Sequence, residues 1–394
     1  MKSIGLFWLP LEHPVENTCP HKEECEIVKR DKVAKKSDEF EIHINFWNTD
    51  ICDVVSYKRR HLYALDFGIV CPINLKELVL LIPAKVEKKQ FVDLVSRLAS
   101  DRELMCTVFN DNLTIASTPT KSYHIIRNSS ESILYLLYEL SNENIVDIDY
   151  NQDNGYTVIK IANNLESITP NMVKNIYVRF RILLDDVHAF AIQRNVSNDW
   201  FQSAFSSSYM FDFRLNDVRE LDKKVSEKLK HDHYDMAKLN KVHFFYMADA
   251  DEVVENGSSM KLDSRLLETQ RWHSYFGNNV QLNRENLAHH WKKCVLKTVQ
   301  KDEGGKQVEE DVRTPFDDFS LYFKVVYSHY KYSRVLIYSS IVFVLGFLAS
   351  SAVSLLQSLW NIAVDAYDWA FWLAVIIIVT LIFALCLKYH CRMN

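Results

Sequence analysis

Glycine is scarce in this chain, with eight residues among 394: Gly5, Gly68, Gly155, Gly257, Gly277, Gly304, Gly305 and Gly346. None stands in a GxGxxG or GxxxxGK spacing, so no loop brings several backbone N–H groups onto a phosphate. Dinucleotide binding and P-loop hydrolysis are therefore not expected, and no cofactor is implied. Cysteine is also sparse: eight residues without a CxxC pair suit reduced thiols rather than a disulfide framework. His13, Cys19, His21 and Cys25 are ligand types, but their irregular spacing in one short segment reads as a polar loop rather than a zinc site. The net charge is −5 and there is no strongly basic tail, so charge alone does not point to nucleic acid.

Charge is wholly absent from residues 335–356 and 371–387. A helix rises about 1.5 Å per residue, so roughly 20 apolar residues cross a hydrocarbon core about 30 Å thick. The first run has that length outright, and the second reaches it when Trp369 and Ala370 are added. Thirteen residues of the first run are Val, Leu, Ile or Phe, which favours insertion by about 4–8 kcal/mol before the cost of its five serines. Lys324, Lys331 and Arg334 precede the first run, Lys388 and Arg392 follow the second, and the turn between holds only Asp365 and Asp368 as charges. The positive-inside rule then places both termini in the cytoplasm, with two membrane spans. Tyr322, Tyr327, Tyr330, Tyr332, Tyr338 and Tyr389 suit an inner aromatic belt, and Trp360, Tyr367, Trp369 and Trp372 an outer one. The apolar stretch 4–11 meets Pro10, Glu12 and Pro14 without a cleavage site, so no secretory signal competes.

The expected class is α+β: a large cytoplasmic mixed α/β region followed by a C-terminal two-helix transmembrane hairpin. Residues 40–46, 63–70, 77–82, 104–109 and 122–126 read as strands, and 88–99 and 131–140 as amphipathic helices. Residues 145–150 and 156–162 read as a hairpin around Gly155. Further strands are expected at 177–182, 208–215 and 242–247, with a charged helix at 217–230. These elements divide into an α+β domain at 1–165 and a second unit at 166–300. A charged linker at 301–314, a helix started by Pro315 over 315–333 and the hairpin at 334–394 follow.

His231-Asp232-His233-Tyr234-Asp235 begins like an HxHxD metal motif, but Met236 stands where a further histidine is needed. Asp66-Phe67-Gly68 spells the kinase magnesium motif without the glycine-rich loop or catalytic loop, and reads as a strand end. Asp249-Ala250-Asp251-Glu252 lacks the spacing of an EF-hand loop. No catalytic residue and no metal ligand is assigned on these grounds. Within the first apolar run, Gly346, Ser350 and Ser354 recur every four residues and Gln357 continues the face, with Ser351 and Ser358 beside it. A small polar stripe in lipid turns away from the tails, toward helix packing or a pore that several hairpins would have to enclose. The lack of intramembrane charge disfavours a proton-coupled carrier.

Leu65-Asp66-Phe67-Gly68-Ile69, Leu80-Leu81-Ile82-Pro83, Phe109-Asn110-Asp111 and the segment from Phe211 to Arg219 resemble those of bacterial two-span effectors of anti-phage defence, notably those accompanying retron reverse transcriptases. The resemblance implies an abortive-infection toxin that oligomerises and permeabilises the inner membrane when its cytoplasmic part is triggered or released. Its partners would be the lipid bilayer, further copies of itself, and a reverse transcriptase–nucleic acid complex or another defence-system sensor. Asp212, Arg214, Asn216 and Arg219 are then the residues expected in a partner contact or an internal polar network. The layout also resembles the CorA divalent-cation channels, but their Gly-Met-Asn filter is replaced by Leu359-Trp360-Asn361-Ile362. A membrane-tethered metal-dependent hydrolase built on the His231 cluster is the remaining alternative.

Overall fold

The computed structural model describes residues 2–11, 39–52, 59–117, 123–141, 145–165, 173–195, 206–250, 252–276, 286–303, 306–328, 332–363 and 375–380. The His13–Cys19–His21–Cys25 group and most of the second apolar run lie outside them. The chain divides into one unit of Met1–Val196 with Ser206–Ser328, and another of Ser197–Phe205 with His329–Asn394.

The first unit begins with β1 (Gly5–Pro10), β2 (Glu39–Cys52), β3 (Arg59–Pro72) and β4 (Leu75–Ile82). A 3-10 turn leads into β5 (Phe91–Asp93), α1 (Val95–Ser100) and α2 (Arg102–Phe109). There follow β6 (Thr114–Ser117), β7 (Tyr123–Arg127), β8 (Ile133–Tyr138), β9 (Val146–Asn151) and β10 (Tyr156–Ala162). Next come β11 (Asn175–Leu184), β12 (Ala191–Asn195), β13 (Ser206–Leu215) and α3 (Lys223–His231). β14 (Asp235–Met236), β15 (Lys238–Asp249), β16 (Val253–Asn256) and β17 (Leu262–Leu266) precede α4 (Thr269–Phe276). The unit closes with β18 (Asn286–Glu303), β19 (Lys306–Thr314) and β20 (Phe319–Ser328).

These strands form three sheets, and the class is α+β with sheet predominating. The largest has eleven strands, with β17-β18-β15-β2-β3-β11-β8-β7-β6 as its path and β19 and β5 attached to β18 and β11. A five-stranded sheet runs β14-β1-β4-β10-β9, and a four-stranded one β12-β13-β20-β16. Alternation sets the layers. Ile42, Ile44, Phe46, Phe67, Ile69, Phe180, Ile182 and Phe244 on one face of the large sheet share a core with Leu80 and Ile159 of the second sheet and Phe213, Leu321 and Phe323 of the third. The opposite face meets α1, α2 and α4 through Trp47, Leu98, Leu104, Trp272, Tyr275 and Phe276. Helix α3 covers the outer face of the five-stranded sheet through Leu229, against Phe7, Val79 and Leu81.

Several sequence expectations need correction. The proposed boundary near residue 165 does not divide the first unit. β2 pairs in parallel with β15 and in antiparallel with β3, β3 with β11 and β1 with β14, so early and late strands share sheets. Residues 104–109 are helical rather than extended, because Asp101 accepts the N–H of Leu104 at 3.0 Å and Asn110 ends the helix in the left-handed region at φ 52°. Residues 131–140 hold a strand, β8, whose apolar run Ile133–Tyr138 pairs in parallel with β11. Short apolar runs of this kind do not distinguish strand from helix by periodicity. Of the helix expected at 88–99 only its second half forms, since Phe91–Asp93 pairs with β11.

The linker at 301–314 is instead the end of a long antiparallel ribbon, in which β18 and β19 pair from Glu303↔Lys306 to Val295↔Thr314. Of the helix expected over 315–333, residues Phe319–Ser328 instead form β20, and the helix begins only at Tyr332. Phe319, Leu321, Phe323 and Val325 are buried at a period of two, which outweighs the Pro315 helix signal. Lys324, counted above as a membrane flank, is held by Glu255 at 3.0 Å, and Tyr322 lies where a Cβ on Gly257 would overlap its ring.

In the second unit, α5 (Tyr332–Ala363) is a single helix. Its segment Val335–Trp360 is long and apolar enough to span a membrane, with a mean hydropathy of 2.1, and it is almost wholly exposed. It is the one such helix among the described residues. Of the second apolar run, residues 375–380 are described and helical.

Candidate functional site

The helix-covered face of the large sheet is unusually polar for a buried surface. On β11, Tyr177, Arg179 and Arg181 point to this face while Val178, Phe180 and Ile182 enter the apolar core. Strand pairing sets Arg181 opposite Asp66 on β3, and Asp66 opposite Asn45 on β2. Asp66 is fully buried and accepts four hydrogen bonds. Arg181 Nε donates at 2.6 Å and Nη2 at 2.9 Å, Trp47 Nε1 at 2.7 Å and the Tyr275 hydroxyl at 2.8 Å. The guanidinium of Arg181 also lies 4.2 Å from the ring centre of Phe276. Arg179 donates from Nε to the Tyr275 oxygen and from Nη1 to the Tyr177 oxygen, both at 2.8 Å. Its Nη2 is buried without a hydrogen-bond partner.

Gly68 explains how this second arginine fits. A Cβ at Gly68 would overlap the Tyr177 hydroxyl and approach Arg179 Nη1 to 2.8 Å, so the missing side chain makes room for both groups. The sequence Asp66-Phe67-Gly68 is thus the middle of a buried strand, not its end. Its aspartate binds arginine, which gives the kinase-like triplet a structural explanation.

One row along the sheet the network meets four ionisable side chains of β2 and β15. Parallel pairing sets Glu41 against Lys241 and His43 against His243. Glu41 Oε1 accepts from Lys241 Nζ at 2.8 Å and lies 3.0 Å from His43 Nε2. Burial would raise the Glu41 carboxyl, but the hydrogen bonds from His43 and Lys241 outweigh it and hold it at about 2. Burial lowers His43 despite the opposing carboxylate. Burial also pushes His243 down to about 2, with His43 and Lys241 adding to the effect. His243 Nδ1 sits 2.8 Å from His290 Nε2 on β18, the two rings stacked with centroids 5.0 Å apart. Burial lowers His290 to about 4. At neutral pH the cluster therefore holds an anionic carboxylate and three uncharged imidazoles, with Lys241 Nζ against the carboxylate.

The residues singled out from sequence fall elsewhere. Asp212 and Arg214 form a bidentate pair at 2.7 and 3.0 Å, and Arg214 reaches Asp217 at 3.3 Å. Arg219 binds the same Asp217 at 3.0 Å from both Nε and Nη2. Asn216 stands in this segment with different partners: its Oδ1 accepts from Leu6 N at 2.7 Å and its Nδ2 donates to Ala237 O at 3.0 Å. Its φ of 60° is in the left-handed region that asparagine tolerates better than most residues. Asn216→Ala is expected to cost about 2–4 kcal/mol, since two buried backbone groups lose their partners. Asn216→Gly loses the same bonds without left-handed strain and should be less damaging by about 1 kcal/mol. Denaturant unfolding of the two variants checks both values; near-wild-type stability of the alanine variant would contradict the account.

His231 and His233 do not form a site: His231 is 91% exposed in its side chain, and His233 is an exposed residue with φ 66° just after α3. Asp249 and Glu252 sit at the β15 turn, where Glu252 accepts from the Tyr246 hydroxyl at 3.0 Å; Asp251 lies outside the described residues. Gly346, Ser350, Ser354 and Gln357 lie on α5, where a Cβ added at Gly346 meets nothing within 4 Å. Ser358 donates back to the carbonyl of Ser354 at 3.0 Å, so its hydroxyl is satisfied within the helix.

An open cleft of about 730 Å³ lies between α2 and the β17–α4 connection, lined by Arg102, Arg265, Arg271, Asp111 and Glu268 among others. Arg102 is spent on Leu113 O and Asn112, and Arg271 on Glu268. Sequence reading missed Glu41, His43, Lys241, His243 and His290. The available signal was polar residues at a period of two, Glu41-x-His43-x-Asn45 and Lys241-x-His243, in strands whose alternate positions are apolar. Comparison of the chain with models of known protein families and with curated proteins finds no match.

Proposed function

We propose that this chain is a membrane-attached effector of bacterial anti-phage defence. In this reading the soluble α+β unit receives a trigger or is held by a partner, and the apolar C-terminal segment acts on the inner membrane. The observation that supports it is α5. Phe343, Phe347, Leu345 and Leu336 on this helix are 59–77% exposed, and no Asp, Glu, Lys or Arg interrupts Val335–Trp360. Such a surface is stable in hydrocarbon and costly in water, at about 25 cal/mol per Å² of apolar area. With residues 371–387 as the second span the segment forms a hairpin with both termini cytoplasmic. Oligomerisation through Gly346, Ser350, Ser354 and Gln357 then gives a weakly selective leak. The partner holding the soluble unit is a reverse transcriptase–nucleic acid complex or another defence sensor, and activation requires that it bind two states of the unit unequally.

Inducible expression in bacteria with a potential-sensitive dye tests the proposal. Wild-type chain, with its trigger, is expected to depolarise the membrane within minutes. Ser350→Leu/Ser354→Leu should retain membrane attachment but reduce depolarisation at least tenfold. Unchanged depolarisation in the double variant would remove the stripe from the mechanism, and none in the triggered wild type would remove the effector reading. The CorA-like alternative lacks its filter in this sequence, and selective magnesium uptake on expression is the result that would favour it.

A further inference from the structure

The geometry points to a divalent transition-metal site formed by Glu41, His43 and His243, with His290 orienting His243. One carboxylate oxygen and one nitrogen from each histidine lie within 4.8 Å of one another, a spread that one ion can gather with small side-chain movements. Three further features of the fold support the assignment.

The first is the free nitrogen of His243. Its Nε2 is buried and has no hydrogen-bond partner, while Nδ1 faces His290 Nε2 at 2.8 Å. An imidazole that donates its Nδ1–H to a neighbour presents a bare lone pair at Nε2. With its hydrogen on Nδ1, His243 has the arrangement in which outer-shell partners fix a ligating histidine. The second is the ligand chemistry. Two neutral imidazoles and a carboxylate match the protein ligands of open Zn²⁺ sites, and related sets hold other divalent ions of the first transition row. Calcium and magnesium prefer all-oxygen shells. The third is rigidity. His43 and His243 are adjacent across the β2–β15 ladder, with ring centroids 5.0 Å apart, and β2 and β15 are interior strands of the large sheet.

Lys241 is the competing cation. Its ammonium holds Glu41 Oε1 at 2.8 Å, and a bound ion takes over that carboxylate as the partly exposed lysine turns outward. His43 then carries its hydrogen on Nδ1 so that Nε2 can ligate. Three protein ligands leave the fourth position of a tetrahedral ion open to water or a small ligand. The site does not depend on the proposed membrane function and is tested separately.

The test is titration of the full-length chain in detergent with Zn²⁺ alone, followed by calorimetry, and with Co²⁺, followed by visible absorption. Wild type is expected to bind one Zn²⁺ at this site with Kd in the micromolar range or tighter. The Co²⁺ form should show visible bands without the near-ultraviolet thiolate charge transfer of a cysteine site. His243→Ala and Glu41→Gln should each weaken binding at least 100-fold, and His290→Ala by roughly 10–100-fold, the range for outer-shell partners. Lys241→Met should strengthen binding, since it removes the competing ammonium. That gain separates a metal site from a merely structural cluster even where a ligand variant folds poorly. The assignment is overturned if wild type binds neither ion at millimolar concentration, if His43→Ala/His243→Ala binds as wild type does, or if the Co²⁺ spectrum is that of a thiolate.

Discussion

Replacing Asp66 with alanine is expected to destabilise the first unit by about 3–5 kcal/mol, enough to leave a marginal domain largely unfolded. The loss is not that of one ion pair. Asp66 is 0% exposed and is the shared acceptor of Arg181, Trp47 and Tyr275, so its removal strands a buried guanidinium and two further donors together. The charge is the dominant part, because a buried ion without its partner carries its desolvation cost uncompensated. Asp66→Leu/Arg181→Met should recover much of the loss, since a buried ion pair replaced by apolar groups of similar volume is often neutral in stability. Denaturant unfolding monitored by tryptophan fluorescence reads the effect close to its origin, Trp47 being a member of the network. An Asp66→Ala variant within 1 kcal/mol of wild type would show that Arg181 finds another partner or water and that the network is not the anchor described.

Gly68→Ala is expected to be nearly as damaging, at about 2–4 kcal/mol, although it adds only one methyl group. Overpacking a closed interior costs about 1–3 kcal/mol. Here the atoms in the way are the Tyr177 hydroxyl and the Arg179 fork, so relief of the overlap also breaks the hydrogen bond between them. This gives a double-mutant cycle with a definite sign. Tyr177→Phe alone should cost about 1–2 kcal/mol because Arg179 Nη1 loses its acceptor. With the hydroxyl already gone, Gly68→Ala should then do less harm, making the pair less destabilising than the sum of the singles by at least 1 kcal/mol. Additive costs would place the strain somewhere other than the Tyr177–Arg179 contact.

The strands were legible where their chemistry was local. Ile42-x-Ile44-x-Phe46 and Val178-x-Phe180-x-Ile182 alternate cleanly, and Asn151–Gly155 marks the β9–β10 hairpin, whose strands pair in the expected order. Errors came where tertiary pairing outweighed local pattern. β8 reads equally as a helix until it is placed beside β11, and residues 104–109 look extended until the caps Asp101 and Asn110 are weighed. A proline start and a following apolar segment suggest one continuous helix where β20 stands, although Phe319, Leu321, Phe323 and Val325 keep strict alternation. The polar segment from Asp212 to Arg219 was visible as a run of paired charges. The histidine cluster was not, because His43 and His243 lie two hundred positions apart and only the parallel β2–β15 pairing brings them together. The apolar stretch was evident from composition alone, since absence of charge over a spanning length needs no tertiary information.

The hydrogen bond from Leu6 N to Asn216 Oδ1 joins groups 210 residues apart in the chain. Growing chains lengthen at about 5–20 residues per second, so β1 waits roughly 10–40 s for that partner and for β14 just beyond it. Until then β1 has only β4 beside it, and its other edge is open to other growing chains. The first strand laid down in the sheet is thus among the last to be paired on both edges. A ribosome-bound fragment ending before residue 216 should be captured by chaperones in a way that the finished chain is not.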